Sequence, residues 1–321
     1  MSLRKISFRQ AINEALTEEM LRDPKIFILG EDIATGGAYS AVTRDLPEKV
    51  GKNRVINTPI SESCFTGAAL GAALRGYRPI VEFMIGDFYT VAADQIINQI
   101  AKTRYMSGGK ISVPVTLRFP TGGYVSQASQ HSQSIEALFI HTPGLKVVYP
   151  SGAYNAKGLL KSAIRDDNPV AFMEAKILYE TEEEVPEEEY IIPIGISNIV
   201  SPGKDLTIVA YGYQVLQVKK VIEQLPYSIE LIDLQSLDPL DMNTILSSVS
   251  KTGRILLVQE DYATCSLAEH IAYYVYNKIS LKSKIRIISS KYAPIPFSPP
   301  LETFVLPQTE DITKGIHEVL E

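Results

Sequence analysis

Short apolar runs alternate with helix-patterned segments along nearly the whole chain, and this alternation restricts the possible folds more than any other feature. The predicted strands are residues 25–29, 54–57, 79–84, 113–119, 146–149, 169–174, 206–211, 229–234, 254–259 and 284–288. Strands separated by helices are joined by right-handed crossovers, which build a mostly parallel sheet covered by helices. The pattern therefore predicts an α/β protein with parallel sheets.

The chain is long enough for two such domains in series. It has 321 residues, and a domain typically has about 150. An acidic run, Glu180 to Glu189, contains seven glutamates and a proline and lies between two differently patterned halves. We predict a first domain at residues 1–181, a solvated acidic linker at 182–190 and a second domain at 191–321.

The composition excludes several classes of protein. The chain has 31 basic and 37 acidic residues. Seven of the acidic residues lie in the acidic run, so the remainder is close to neutral and gives no indication of nucleic-acid binding. No apolar run approaches the ~20 residues of a membrane span. The two cysteines fit a reducing compartment, and the N-terminal segment lacks the apolar region of a signal peptide. We expect a cytoplasmic protein, or one in an organelle matrix, without membrane association.

Ligands of open α/β sheets bind beyond the carboxyl ends of the strands. The chain has no GxGxxG after a strand and no GxxxxGK[ST], so neither a nicotinamide-binding domain nor a P-loop enzyme is indicated. No two histidines have the spacing of a zinc site. The loops after the predicted strands therefore hold the candidate functional residues.

Glu62 is the first candidate, because it lies at a predicted strand-to-helix junction. Its neighbours are apolar or small, so its carboxyl group would be partly desolvated and suited to proton transfer. The alternative is a first-turn glutamate that stabilises the helix dipole, and position alone favours this alternative. The small residues that follow, from Gly67 to Ala73, predict close packing of another helix, either within the chain or at a subunit interface.

His131 is the second candidate. It lies in the polar sequence SQASQHSQS after an apolar strand, and its surroundings are the most polar of the four histidines. An unperturbed imidazole titrates near neutral pH, which suits acid–base chemistry.

A series of motifs along the chain resembles one family. They are GED, TPISE, GAALGAA, EFMIGDF, KTRYMSGG, QHSQ, HTPGLKVVYP, AKGLLKSAIRDDNPV, KILYE and KTGRILLVQE. Their sequences and order resemble the beta subunit of the heterotetrameric, thiamine-diphosphate-dependent component of 2-oxo acid dehydrogenase complexes. The resemblance covers nearly the whole chain. It implies a pyrimidine-binding domain followed by a transketolase C-terminal-like domain.

The resemblance also assigns roles to residues. Glu62 matches the glutamate that bonds a pyrimidine nitrogen of thiamine diphosphate and promotes the cofactor's activation. His131 matches the histidine beside the substrate. The residues matching other contacts of the pyrimidine pocket are Phe88, which would stack on the ring, Ile60, Met84 and Glu31.

A potassium site carries over from the same family. The matching residues are Val115, Ala163, Ile164, Asp166 and Asn168. In the family most of these ligands are main-chain carbonyl groups. The ion would have a structural role.

One motif that is typical of thiamine-dependent enzymes is missing from this chain. Thiamine enzymes hold magnesium and the diphosphate with a GDG motif, but Gly86 and Asp87 are followed by Phe88. The resemblance therefore implies that an alpha subunit supplies this clamp in an α2β2 heterotetramer. It also implies transfer of the acyl group to a lipoyl-bearing acyltransferase core.

The substrate is a small 2-oxo acid by this resemblance, with pyruvate the first choice. Acetoin and branched-chain 2-oxo acids remain alternatives. The C-terminal half of a split transketolase is another possibility, and a scaffold subunit with a decayed site is a third. Retention of Glu62, Phe88 and His131 together argues against the scaffold.

Overall fold

The computed structural model describes residues 3–37 and 39–321. The strands are β1 (Leu3–Ser7), β2 (Ile26–Gly30), β3 (Val55–Asn57), β4 (Arg78–Glu82), β5 (Thr116–Thr121), β6 (Lys146–Val148), β7 (Val170–Ala175), β8 (Glu182–Pro186), β9 (Asn198–Ser201), β10 (Leu206–Ala210), β11 (Ile229–Asp233), β12 (Ser236–Asp238), β13 (Ile255–Tyr262) and β14 (Arg286–Ser290). The α-helices are α1 (Phe8–Arg22), α2 (Leu46–Val50), α3 (Glu62–Leu74), α4 (Ala101–Met106), α5 (Glu136–Ile140), α6 (Ala153–Arg165), α7 (Tyr213–Ile222), α8 (Met242–Thr252), α9 (Leu267–Lys278), α10 (Pro299–Val305) and α11 (Thr309–Leu320).

A seven-stranded sheet organises the first half of the chain. Its strand order is β12-β6-β7-β5-β4-β2-β3. All neighbours are parallel except β12, which the second half adds antiparallel to β6. Strands β5 and β7 are buried along their full length, as expected for a parallel sheet with helices on both faces.

A five-stranded sheet organises the second half, in the order β14-β13-β10-β11-β9. Strands β14, β13, β10 and β11 are parallel, and β9 pairs antiparallel with β11. The predicted fold class, two α/β units in series with mostly parallel sheets, is confirmed. Within the residues described, no helix is both long and apolar enough to cross a membrane.

The acidic run contains a strand in addition to solvated residues. Strand β8 begins at Glu182 and pairs antiparallel with β1. Its first three glutamates are exposed, whereas Val185 and Pro186 are buried. The exposed pair Lys5 and Glu182 forms a salt bridge across this ribbon. The apolar end of the run anchors it, so only part of the segment is the solvated chain that its charge suggests. The domain limits themselves stay a prediction.

The sequence between Asp87 and Met106 has a helical pattern, but it does not form one regular α-helix. A 3-10 segment (Gly86–Ala92), a π-helical segment (Asp94–Ile100) and α4 follow one another instead.

Helix α3 packs against this region. A Cβ atom on Gly67 would lie 3.2 Å from the side-chain oxygen of Gln95, so the small residue permits close approach within the chain. Gly71, by contrast, is exposed with open space around it.

Candidate active site

The carboxyl ends of adjacent parallel strands bring the candidate residues to one edge of the seven-stranded sheet. The segments that leave this edge carry Glu31 after β2, Glu62 after β3, Phe88 after β4 and His131 after β5. The prediction that chemistry lies beyond the strand ends therefore leads to a single region of the molecule.

Glu31 and Glu62 form the acidic part of this region. Both are buried, each with 5% of its surface exposed. Burial raises the pKa of Glu31, and the nearby charges of Glu62 and Asp32 raise it further, while a hydrogen bond from the main chain of Ser61 opposes them. Glu62 is the first residue of α3, so both interpretations of its position, helix-dipole partner and proton-transfer group, are compatible with its placement.

Phe88 and His131 form the aromatic part. Their rings meet edge to face with centroids 5.4 Å apart. Asp87 fixes this arrangement, because its Oδ1 atom accepts hydrogen bonds from the main-chain N (3.3 Å) and the side-chain Nε2 (2.8 Å) of Gln133. Phe88, which takes the place of the last glycine of the GDG motif, therefore lies next to the QHSQ motif.

Two further predicted residues differ in exposure. The side chain of Ile60 is 84% exposed, and Met84 is half-buried after β4. Ile60 is thus a single exposed apolar side chain two residues before the buried Glu62. Single exposed apolar residues are common on protein surfaces.

Two residues of the region were not identified from the sequence. Lys176 follows β7 directly, is 4% exposed, and donates a hydrogen bond to the main-chain oxygen of His131. Glu260, in β13 of the second half, accepts a hydrogen bond from the main-chain N of Gly123 at 2.6 Å. Burial raises the pKa of Glu260 to about 7. Both residues come at the end of a predicted apolar strand, which was a usable signal, but nothing in the sequence places Glu260 next to Gly123.

The polar atoms at this edge fit a nitrogen heterocycle such as the aminopyrimidine of thiamine diphosphate. One carboxylate oxygen of Glu31 (Oε1) and one of Asp87 (Oδ2) are buried without a hydrogen-bond partner in the protein. Buried polar groups of this kind are normally satisfied. The half-buried ring of Phe88, the residue after Asp87, supplies a stacking surface.

The residues predicted to bind potassium also lie together. Four hydrogen bonds connect their main chain to neighbouring groups: Val170 N to Val115 O (3.0 Å), Asp166 N to Ala163 O (3.3 Å), Arg78 Nε to Ile164 O (2.9 Å) and Arg78 Nη2 to Asp166 O (2.6 Å). Each carbonyl oxygen keeps a second lone pair, and oxygen atoms suit a hard cation. Lys146 bonds Asp166 at 2.5 Å, so positive charge from Arg78 and Lys146 already surrounds this cluster. Among the residues described, no three His, Cys, Asp or Glu side chains form a group that could hold a metal ion.

Family models and curated relatives match nearly the whole chain. The model of the transketolase pyrimidine-binding domain matches residues 4–182, and that of the transketolase C-terminal domain matches residues 195–312. The chain is 45% identical to the beta subunit of acetoin:2,6-dichlorophenolindophenol oxidoreductase from Cupriavidus necator, over 99% of this chain and 98% of that protein. It is 43% identical to the pyruvate dehydrogenase E1 component subunit beta of Rickettsia felis, over 98% of each chain. The chain belongs to the family of 2-oxo acid dehydrogenase E1 beta subunits.

Members of this E1 beta family that act on other substrates are similarly related. The beta subunit of 2-oxoisovalerate dehydrogenase from Bacillus subtilis is 39% identical, over 98% of this chain and 99% of that protein. The family is one of thiamine-diphosphate-dependent oxidoreductases, which confirms the resemblance read from the motifs. The roles of individual site residues stay predictions.

Solved structures show that this E1 beta subunit has the transketolase fold. A split-gene transketolase in an inactive beta4 tetramer superposes with a TM-score of 0.81 over 98% of both chains, at 21% identity. The transketolase of Campylobacter jejuni gives a TM-score of 0.73 at 12% identity, and the chain corresponds to 47% of its length. At such identities the likeness concerns the fold alone, whereas relatives at 39–45% identity carry the family assignment.

Proposed function

We propose that this chain supplies the pyrimidine-side half of the active site in an α2β2 enzyme that decarboxylates pyruvate and transfers the acetyl group to a lipoyl-bearing acyltransferase core. The observation that carries the proposal is the convergence of Glu62, Phe88 and His131 on one sheet edge. Burial of Glu62 and the contact between the two rings support it. These are the residues that the motif resemblance assigned to cofactor activation and substrate handling.

Glu62 is proposed to hold a proton at a ring nitrogen of the aminopyrimidine. Thiamine diphosphate, when bound, supplies the carbon nucleophile that adds to the 2-oxo group and accepts the electrons released with carbon dioxide. A carboxyl group suits this role because it can both donate and accept a proton. Phe88 would support the ring from one side, and Glu31 would line the same pocket.

His131 is proposed to act on the substrate side of the site. Its ring lies against Phe88, so a group bound over the phenyl ring would be within reach of the imidazole. An imidazole N–H can donate a hydrogen bond to a carboxylate or carbonyl oxygen, and more strongly when charged. Its expected roles are orientation and proton transfer during decarboxylation and acyl transfer.

An alpha subunit is proposed to hold the diphosphate and magnesium. The sequence Gly86–Asp87–Phe88 replaces the GDG motif, and Asp87 is engaged in holding Gln133. The Oδ1 atom of Asp87 therefore positions the QHSQ loop. The exposed side chain of Ile60 would be covered by that subunit.

Potassium is proposed as a structural ion at the carbonyl groups of Val115, Ala163, Ile164 and Asp166 and at Asn168. Ala163, Ile164, Asp166 and Asn168 lie at the end of α6 or between α6 and β7. Val115 precedes β5, and its main-chain oxygen accepts a hydrogen bond from the main-chain N of Val170 in β7, so the five residues meet at one place. The adjacent positive charge of Arg78 predicts weak binding. Replacing potassium chloride by sodium chloride should lower the melting temperature if the ion binds, and should leave it unchanged if Arg78 alone fills the role.

The substrate assignment rests on the motifs KTRYMSGG, CFTG and AIRDDNPV, which resemble pyruvate-type sequences. Relatives named for acetoin and 2-oxoisovalerate make acetoin and branched-chain 2-oxo acids the alternatives. Ketose transfer, the reaction of a split transketolase, is the alternative outside the family.

The test is reconstitution of the chain with an alpha partner that contains the GDG motif. Acylation of a lipoyl domain is then followed with pyruvate, acetoin or 3-methyl-2-oxobutanoate as the donor. Ketose transfer is followed separately, with a ketose donor and an aldose acceptor. Pyruvate-dependent acetylation that needs both chains and is lost in a Glu62→Gln variant is the expected result. Turnover of only the ketose donor, or activity independent of Glu62, would overturn the proposal.

A further inference from the structure

The loop that carries His131 is held in a strained conformation. Tyr124, Ser126 and Ala128 have φ angles of 64°, 55° and 63°. Non-glycine residues rarely adopt this left-handed region, because the Cβ atom comes too close to the following carbonyl oxygen. Strain of this kind persists only where surrounding contacts enforce it, and it is concentrated at functional sites. Contacts must therefore hold the loop in place.

The second half of the chain supplies some of these contacts. Glu260 accepts a hydrogen bond from the main-chain N of Gly123. The carboxylate of Glu302 in α10 accepts bonds from the main-chain N and the hydroxyl of Ser126, at 3.0 and 2.9 Å. The hydroxyl of Tyr124 donates to the main-chain oxygen of Pro307 at 2.8 Å. These contacts fix the first half of the loop but do not reach His131.

Lys176 supplies the contact at the histidine itself. Its Nζ atom donates to the main-chain oxygen of His131 and to the side-chain oxygen of Gln127 at 2.9 Å. Its main chain is fixed where β7 ends. We propose that Lys176 is a positioning residue for His131, which keeps the imidazole in its working place by anchoring the loop to the seven-stranded sheet. This inference rests on the proposed role of His131 in the reaction.

The charge of Lys176 also matters to the anchor. The acidic groups that face it are Asp87 in the 3-10 segment, Glu260 in β13 and Glu302 in α10. Burial lowers the pKa of Lys176 to about 8, although these three carboxylates oppose the shift. As the pH rises through this value, the ammonium group loses its charge and its attraction to them. The hold on the loop should then weaken, so activity should fall on the alkaline side.

The experiment compares Lys176→Met and Lys176→Arg in the enzyme reconstituted with its alpha subunit and thiamine diphosphate. We expect Lys176→Met to lower kcat by about tenfold or more, since a small displacement of a reacting group has large kinetic effects, while the Kd for thiamine diphosphate changes little. Lys176→Arg should recover part of kcat. Its alkaline limb should move to higher pH, because a guanidinium group stays charged.

Lys157→Met is the matched control. Lys157 is another fully buried lysine, but it pairs with Glu14 and Glu18 at the contact of α1 with α6. Its replacement should lower the melting temperature without lowering kcat at temperatures where the enzyme is folded.

A Lys176→Met variant with unchanged kcat, or one whose kcat and melting temperature fall together as stability is lost, would overturn the proposal. Should that variant fail to fold, an alkaline limb in Lys176→Arg identical to wild type would overturn it.

A double-mutant cycle separates this inference from the proposed function. If Lys176 acts through His131, adding Lys176→Met to His131→Ala should lower kcat no further. Normal activity in His131→Ala alone would show that the role of the histidine is wrong. A slow His131→Ala enzyme with an unaffected Lys176→Met enzyme would leave the proposed function intact and reject only the positioning role.

Discussion

The imidazole of His131 meets the phenyl ring of Phe88 edge to face, with 5.4 Å between the ring centroids. The two residues are 43 positions apart in the sequence, and the hydrogen bonds between Asp87 and Gln133 bring their segments together. A group that stacks on Phe88 is therefore placed next to His131 by the fold itself. Cofactor binding is proposed for Phe88 and substrate handling for His131, so mutations of the two residues should have different effects.

His131→Ala should lower turnover more than it lowers cofactor affinity. Alanine removes the imidazole donor but leaves Phe88 and Glu62 in place. We expect the rate of lipoyl acylation to fall by on the order of 10² or more and the Kd for thiamine diphosphate to change by less than about tenfold. In the reconstituted enzyme, kinetics measures the rate, calorimetry measures the Kd, and thermal melting measures the stability. A parallel loss of activity, affinity and stability would instead mean that the histidine only shapes its loop.

Glu62→Gln should block activation of the cofactor while leaving the fold intact. The amide is close in size to the carboxyl group but cannot exchange a proton with the pyrimidine ring. A missing proton transfer costs ~10²–10⁴ in rate. Hydrogen–deuterium exchange at the thiazolium carbon, followed in the reconstituted enzyme, tests this directly. Exchange at the wild-type rate in the variant would refute the assignment and favour the helix-dipole role of Glu62.

The isolated chain should bind thiamine diphosphate weakly. It has a pyrimidine-side pocket but not the GDG clamp for magnesium and diphosphate. Isothermal titration calorimetry of the isolated chain, and then of the chain with its alpha partner, should show tight magnesium-dependent binding only in the second case. Micromolar, magnesium-dependent binding by the isolated chain would contradict the division of the site between two subunits.

The strand predictions succeeded where burial on both faces produces a continuous apolar run. Strand β10 is an example, since all of its residues from Leu206 to Ala210 are buried. Prediction failed for β1 and β8, in which charged residues lie on an exposed two-stranded ribbon and only Ile6, Val185 and Pro186 are buried. No apolar run marks such strands, because each is defined by its partner rather than by its own sequence.

The site was predicted in part for a similar reason. Glu62, Phe88 and His131 belong to motifs that are local in the sequence. Glu260 acts on the loop from 137 positions away, and no local pattern connects it to Gly123. The change from 3-10 to π-helical hydrogen bonding within residues 86–100 was also missed, because the apolar spacing of a helix does not show which of these patterns the main chain adopts.

Gly144→Ala should destabilise the fold strongly. Gly144 has a φ angle of +100°, and a Cβ atom at this position would overlap the main-chain oxygen of Ala101. Gly76→Ala is the matched control, because Gly76 has a φ of +87° but open space around it. We expect the control to cost about 1–2 kcal/mol from backbone strain alone and Gly144→Ala to cost clearly more. Chemical denaturation of both variants measures the difference, and equal losses would show that steric overlap contributes nothing.

Asp233 should make the stability of the protein depend on pH. Its carboxyl group is buried at the end of β11 and accepts bonds from the hydroxyl of Ser151 (2.5 Å) and the amide of Asn155 (3.0 Å). Burial raises its pKa from the ordinary value of 3.8 to about 7. A group whose pKa is raised by folding stabilises the native state fully below the unfolded pKa. That contribution is lost as the pH rises towards 7.

The measurement compares wild type with Asp233→Asn by urea unfolding at several values between about pH 5 and pH 8. The variant cannot ionise, so the wild-type advantage in unfolding free energy should shrink as the pH rises and become constant above about pH 7. Asp45→Asn is the control, because Lys49 holds the pKa of Asp45 below its ordinary value. The stability difference for that variant should stay constant over the same range. A constant difference for Asp233→Asn as well would show that this buried carboxyl group is already ionised at pH 5.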